Sequence, residues 1–309
     1  MNPDNLPTIK SFFCGLCIFC FAYSGCCCLW VAGTTIEGEH SSYSGFSRGE
    51  YLAKILEETP KTRLARLQRT RIEPRDEVSD ELIGVTMVLN GEYSDAINVF
   101  QQIEENTPGR YTTAANLGTA YELNGQLEDA LKWVSEGINR NPDSHLGTEW
   151  LHVEIIKSLI RLRDDPDYFE SNHILEIPEI VSKDWLLKIG GNEFTLTEVM
   201  AALDYQLKER MIFIKPPDPV VADLLYSYGL LEARTRIVET GIPLLKLSLQ
   251  YGFSDLSSIE NEISNYESLI QKRLFRRNVY ICIGSFALLI LAYFAIKNKW
   301  ITLRRHSAS

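Results

Sequence analysis

Residues 77–110, EVSDELIGVTMVLNGEYSDAINVFQQIEENTPGR, and residues 111–144, YTTAANLGTAYELNGQLEDALKWVSEGINRNPDS, decide how this chain folds, because the second stretch echoes the first. Gly84, Gly91, Ala96 and Pro108 recur 34 positions later as Gly118, Gly125, Ala130 and Pro142, and Asn90-Gly91 recurs as Asn124-Gly125. A repeat of this length is the mark of stacked supersecondary units. Two antiparallel helices approach closely only where one offers a small residue to the other, which assigns Gly84 and Gly118 to first helices and Ala96 and Ala130 to second helices. Asn-Gly is expected to supply the positive-φ residues that stop the first helix and reverse the chain. Proline at 108 and 142 cannot continue the second helix and closes the unit.

With these residues the chain resembles the tetratricopeptide repeat family. The first unit fits with Gly84, Ala96, Phe100 and Pro108, and the second with Leu117, Gly118, Tyr121, Ala130 and Pro142; Met87 and Val134 depart from the family pattern but stay apolar. The resemblance implies an all-α fold, a solenoid of helical hairpins, and a concave surface lined by the first helices on which a peptide can lie. By position that surface comprises Glu81, Val85, Val88 and Leu89, followed by Thr112, Ala115, Asn116, Thr119 and Glu122. Some members clamp a C-terminal carboxylate there with Lys, Arg and Asn. This chain keeps Asn116 but shows Glu81 and Val85 where bases would stand. The expected partner is therefore a protein or peptide that is basic or apolar rather than acidic. A shallow groove of two or three units can instead be filled by residues 163–215 of the chain itself.

Around residues 77–144 the repeat signature weakens. Residues 145–215 read as a degenerate capping and connecting region, in which Trp150, Val153, Ile156, Leu159 and Ile160 mark one face of a helix over Thr148–Leu162. Pro166, Pro178 and Gly190-Gly191 punctuate the stretch from Arg163 to Glu193, until a capping box at Thr195 and Glu198 starts a helix with Val199, Leu203 and Leu207 on one side. Prolines from Pro216 to Pro219 force an extended link, with Asp218 placed to cap the next helix. Residues 216–256 then form a weaker repeat-like pair through Gly229, Gly241, Leu245 and Ser248, with Pro243 predicted to kink its second helix or shift its start. A second capping box at Ser257 and Glu260 opens a juxtamembrane helix over 257–277. Residues 34–76 read as an extended and helical lead-in.

Both ends of the chain carry membrane signals. Val279–Ile296 is uncharged, with Arg276 and Arg277 before it and Lys297 and Lys299 after it, so residues 278–297 read as a transmembrane helix and 298–309 as a basic tail. Residues 1–33 read as a signal peptide or N-terminal membrane anchor, since Ser11–Gly33 is apolar after a short polar start. Tyr23-Ser24-Gly25-Cys26 resembles a bacterial lipobox, which implies lipidation at Cys26. All 7 cysteines lie in the two apolar stretches, so the middle folds without disulfides. Between 34 and 277 stand 40 acidic against 26 basic side chains, a surface that repels nucleic acid.

No nucleophile motif or phosphate-cradling loop is present, and the 5 histidines are scattered, with His145 and His152 alone near one another. The reading is a non-enzymatic scaffold without cofactor, anchored in a membrane with its soluble part outside the cytoplasm, in the periplasm. Two other readings stay open: a hydrolytic or metal-dependent insert over 163–215, where His173 neighbours Glu176 and Glu179, and an assembly protein that oligomerises through its span.

Overall fold

The computed structural model describes residues 30–44, 47–70 and 80–306. The chain enters through a hairpin of β1 (Trp30–Thr34) and β2 (His40–Ser44), so the expected end of the N-terminal segment at Gly33 falls inside a strand. Cys26 lies outside the described residues. Helices α1 (Arg48–Ile55) and α2 (Pro60–Thr70) complete the lead-in.

The echoed units form α3 (Asp80–Asn90), α4 (Tyr93–Asn106), α5 (Tyr111–Leu123) and α6 (Leu127–Arg140), packed as successive antiparallel pairs. Glycine does what the repeat requires: a Cβ on Gly84 would meet Phe100 at 2.5 Å, and one on Gly118 would meet Val134 at 2.6 Å. The turns differ in detail from expectation. Gly91 and Gly125 alone take positive φ, +82° and +78°, while Asn124 stays right-handed at φ −85°. Glycine supplies the reversal, and asparagine ends the helix before it. Val88, Ala96, Phe100, Leu117, Ala120, Ala130 and Val134 form the core of this half.

A 3-10 turn over Ser144–Gly147 leads into α7 (Glu149–Asp164). The buried positions of α7 are Glu149, Leu151, His152, Ile155, Ile156 and Ser158, whereas Trp150, Val153, Leu159 and Ile160 are half-buried. The single-face expectation was thus too narrow, because α7 touches α6 on one side and the next long helix on the other. Strands β3 (Leu186–Ile189) and β4 (Asn192–Thr195) pair around Gly190 and Gly191, which both have positive φ. Helix α8 (Leu196–Phe213) starts on the capping box of Thr195 and Glu198 and buries Val199, Leu203 and Leu207 completely.

Helices α9 (Pro219–Thr235) and α10 (Val238–Gln250) form another antiparallel pair, entered through Asp218, whose carboxylate accepts from the Val221 amide. Gly229 lies against Leu245, and Gly241 lies against the Gly229 carbonyl and Ala233. Helix α10 runs through Pro243, and Gly49 of α1 rests on that proline. Helix α11 (Leu256–His306) is continuous from the repeats into the apolar segment. Its start is set by Asp255, whose carboxylate accepts from the Ser258 amide, two residues earlier than the box expected at Ser257. Ile259, Ile263 and Tyr266 are buried against the pair, while from Val279 to Phe294 the apolar side chains are turned outward without protein cover. That part of α11 is long and apolar enough to cross a membrane.

Candidate functional site

The inner faces of α3 and α5 turn toward α7 and α8, and a cavity of about 250 Å³ remains between them. Its apolar side is made by Val85, Val88 and Leu89 from α3, Leu123 from α5, and Phe213 and Ile214 at the end of α8. Its polar side carries Asn116, Thr119, Glu122, His145, Glu149, His152, Tyr205, Gln206, Glu209 and Arg210, with Arg63 reaching in from α2. Of the expected groove residues, Val85, Val88, Leu89, Asn116, Thr119 and Glu122 come together here. Glu81 does not: it accepts from Thr112 and Thr113 at 2.7 and 3.0 Å, outside the cavity.

A chain of buried ion pairs fixes the polar wall. Arg210 Nη1 donates to Glu122 Oε1 at 2.5 Å, across 88 residues of sequence. His152 Nε2 donates to Glu122 Oε2 at 2.7 Å and its Nδ1 donates to Glu149 Oε2 at 3.2 Å. His145 completes the chain through Glu149 Oε1 at 2.6 Å. Burial opposes the charge on each of the first four groups, and the partners outweigh it. Burial raises the Glu122 carboxyl, but the Arg210 charge and the His152 hydrogen bond hold it down to about 2. Burial lowers His152, but hydrogen bonds to Glu122 and Glu149 push it up to about 10. Glu149 is held well below the usual carboxylate range against the same desolvation, by His145 and His152. At neutral pH His152 is an imidazolium between two carboxylates, with both ring nitrogens donating. His145 is raised by its hydrogen bond to Glu149.

The turn that presents His145 is strained. His145 and Leu146 take φ +50° and +63°, a region that costs a side-chain-bearing residue about 1–2 kcal/mol each. The hydrogen bond to Glu149, the Thr148 hydroxyl donating to the His145 carbonyl at 2.7 Å, and stacking of the imidazole on Tyr205 hold it there.

Sequence reasoning saw His145 and His152 as neighbours on one face but missed that Glu149 between them, and Glu122 on the preceding repeat, complete the network. It missed Arg63 and Arg210 altogether, and so placed no base in the groove. The signal available was small: Glu149 and His152 stand three apart on a helix, a spacing that brings side chains together. His173 is not paired with Glu176 or Glu179. Its Nδ1 meets Asp223 Oδ1 of α9 at 2.5 Å, and its ring stacks with Tyr226 and Phe253, tying the 171–175 loop to the second half of the molecule. Among the described residues no group of three or more His, Cys, Asp or Glu side chains is arranged to hold a metal ion.

Comparison with curated proteins returns no match. Comparison with protein-family models matches residues 87–147 to the tetratricopeptide repeat, a span that runs from the first helix of the first unit to the turn after the second. Gly118, close-packed on Val134 within that span, gives the match its physical content: residues 87–147 are a tetratricopeptide-repeat segment.

Proposed function

We propose that this chain is a membrane-anchored scaffold that holds a protein partner in the groove of its tetratricopeptide repeats, on the outer side of the cytoplasmic membrane. The observation that carries the reading is the cavity itself: α8 covers the concave face of α3 and α5 yet leaves space beside Val85, Val88, Asn116 and Thr119. Tetratricopeptide repeats bind proteins as a class, and the matched segment contributes Val88, Asn116, Thr119 and Glu122 to the cavity lining.

Anchorage rests on α11, whose segment beyond Val279 exposes Phe286, Leu288 and Leu291 by more than half. In water that surface would drive aggregation; in a bilayer it is solvated. Basic residues flank the segment on both sides, Arg276 and Arg277 before it and Lys297 and Lys299 after it, so the exported placement of the repeat domain rests on the apolar, signal-like stretch Ser11–Gly33. Protease added to intact spheroplasts is expected to digest the repeats, and full protection until the membrane is broken contradicts this sidedness. Co-purification of the full chain from detergent-solubilised native membranes tests the binding role. A partner retained by the wild type and lost on Thr119→Phe, which fills the cavity, is the expected result; retention by both moves the partner to another face.

A further inference from the structure

Which partner chemistry the cavity accepts depends on how its charges are already used. Arg63 pairs with Glu209 at 2.5 Å, Arg210 with Glu122 at 2.5 Å, and His152 with Glu122 and Glu149 at 2.7 and 3.2 Å. Three cations therefore stand against three carboxylates. His145, the remaining ionisable imidazole, has a side chain 38% exposed, so solvent screens it. A ligand carboxylate would find every buried cation inside already paired, and a ligand ammonium every carboxylate. Burying either charge without a partner is costly.

Hydrogen-bond capacity, by contrast, is left over on the donor side. The Arg210 Nε has no acceptor, but it is sealed inside the wall and offers nothing to the cavity. The Asn116 amide lines the same cavity without a hydrogen bond to any described residue, and the Tyr205 phenol, protonated at neutral pH, lines it beside Asn116 and Thr119. The opposite wall is apolar. A volume of about 250 Å³ lies below the range of roughly 300–1,000 Å³ that encloses a drug-sized ligand, and far below a helix.

We infer that the cavity receives one uncharged apolar side chain of the partner, from an internal position of an extended segment, whose adjacent main-chain carbonyl accepts from the Asn116 amide. This deepens the scaffold reading and rests on it. It replaces the choice between a basic and an apolar partner with the apolar one. Leucine-sized residues fit: the side chain lies on Val85, Val88, Leu123 and Phe213, and its peptide oxygen meets the Asn116 amide.

Saturation-transfer NMR on the full chain in detergent micelles tests this with three capped amino acids: N-acetyl-leucine methylamide, N-acetyl-leucine, which ends in a carboxylate, and N-acetyl-lysine methylamide. The neutral leucine probe is expected to bind with a dissociation constant on the order of millimolar, as suits so few atoms. The two charged probes are expected to bind at least about fivefold more weakly, because each buries an unpaired charge. Thr119→Phe removes the leucine signal by bulk. Asn116→Ala adds no bulk and weakens it roughly fivefold by removing a donor. Equal or tighter binding of a charged probe overturns the inference, as does an unchanged leucine signal in both variants or no signal from the leucine probe. If the leucine probe fails while Thr119→Phe still loses the co-purified partner, the groove keeps its role and only the ligand chemistry falls. If the partner survives Thr119→Phe, the groove reading itself falls.

Discussion

A methyl group on Gly118 would sit 2.6 Å from Val134 Cγ2 and 2.9 Å from the Val134 backbone nitrogen, so α5 and α6 must separate to admit it. Gly118→Ala is expected to lower stability by about 1–3 kcal/mol, read from thermal or denaturant unfolding. Gly137 faces the same interface from α6, yet its added Cβ would find Ala115 no nearer than 3.5 Å, an ordinary contact. Gly137→Ala is therefore expected to leave the fold intact and raise stability by up to about 1 kcal/mol through helix propensity; a loss equal to that of Gly118→Ala contradicts the packing described. The buried imidazolium makes a second residue-scale prediction. Glu122 titrates near 2 in the fold against 4.5 ordinarily, so its contribution is complete above about 4.5 and lost as pH falls through about 2. His152 titrates near 10 against 6.5, so its contribution is complete below about 6.5 and lost as pH rises through about 10. The melting temperature should peak between these limits and decline from pH 6.5 upward. His152→Gln should flatten that decline and cost about 3–5 kcal/mol near neutrality, because it leaves two buried carboxylates short of a cation.

At the scale of elements, α6 is bound to α4 by Arg140, whose Nη1 and Nη2 donate to the two oxygens of Glu104 at 2.8 Å each, while its Nε reaches Glu136. The side chain is 14% exposed, and the forked geometry is the strong form of the interaction. Arg140→Ala is expected to cost about 1.5–3 kcal/mol and to speed amide exchange at the C-terminal end of α6; an unchanged unfolding midpoint contradicts the role given to it. Helices α3 to α6 were legible in the sequence because their closest approaches fall at a fixed offset, at Gly84 and Ala96 in the first unit and Gly118 and Ala130 in the second. The pair α9 and α10 was legible for the same reason at Gly229 and Gly241. Arg210 was not, since nothing near it in sequence announces Glu122, and a long-range ion pair leaves no periodicity. The hairpins were missed because four- and five-residue strands carry too few alternations to stand out; the turn at Gly190-Gly191 was seen, the strands on either side of it were not.

For the molecule as a whole, the first hairpin fastens the long helix to the repeats. The Thr34 amide and hydroxyl both donate to Glu239 of α10 at 2.8 Å, Arg273 of α11 reaches the same carboxylate at 3.3 Å, and Arg276 donates to the Gly38 carbonyl and to Glu39. The helix that meets the membrane is thus held at its base by the same acid that holds the hairpin. Glu239→Ala is expected to increase hydrogen exchange across residues 264–277 while leaving α3 to α6 protected; equal exchange in both regions contradicts the latch. None of this was legible beforehand, because residues 34–44 show neither a repeat nor a helical stripe, and the partner of Thr34 lies 205 residues away. The claim on which the functional reading rests is that the covered groove is where a partner sits. Photo-crosslinking in native membranes from a photo-reactive leucine at Leu123, which lines the cavity and gains no bulk, with a second probe at exposed Lys132 on α6, tests it most directly. The account predicts one protein captured from position 123 and absent from position 132. Capture from 132 alone, or no capture from 123, would contradict it.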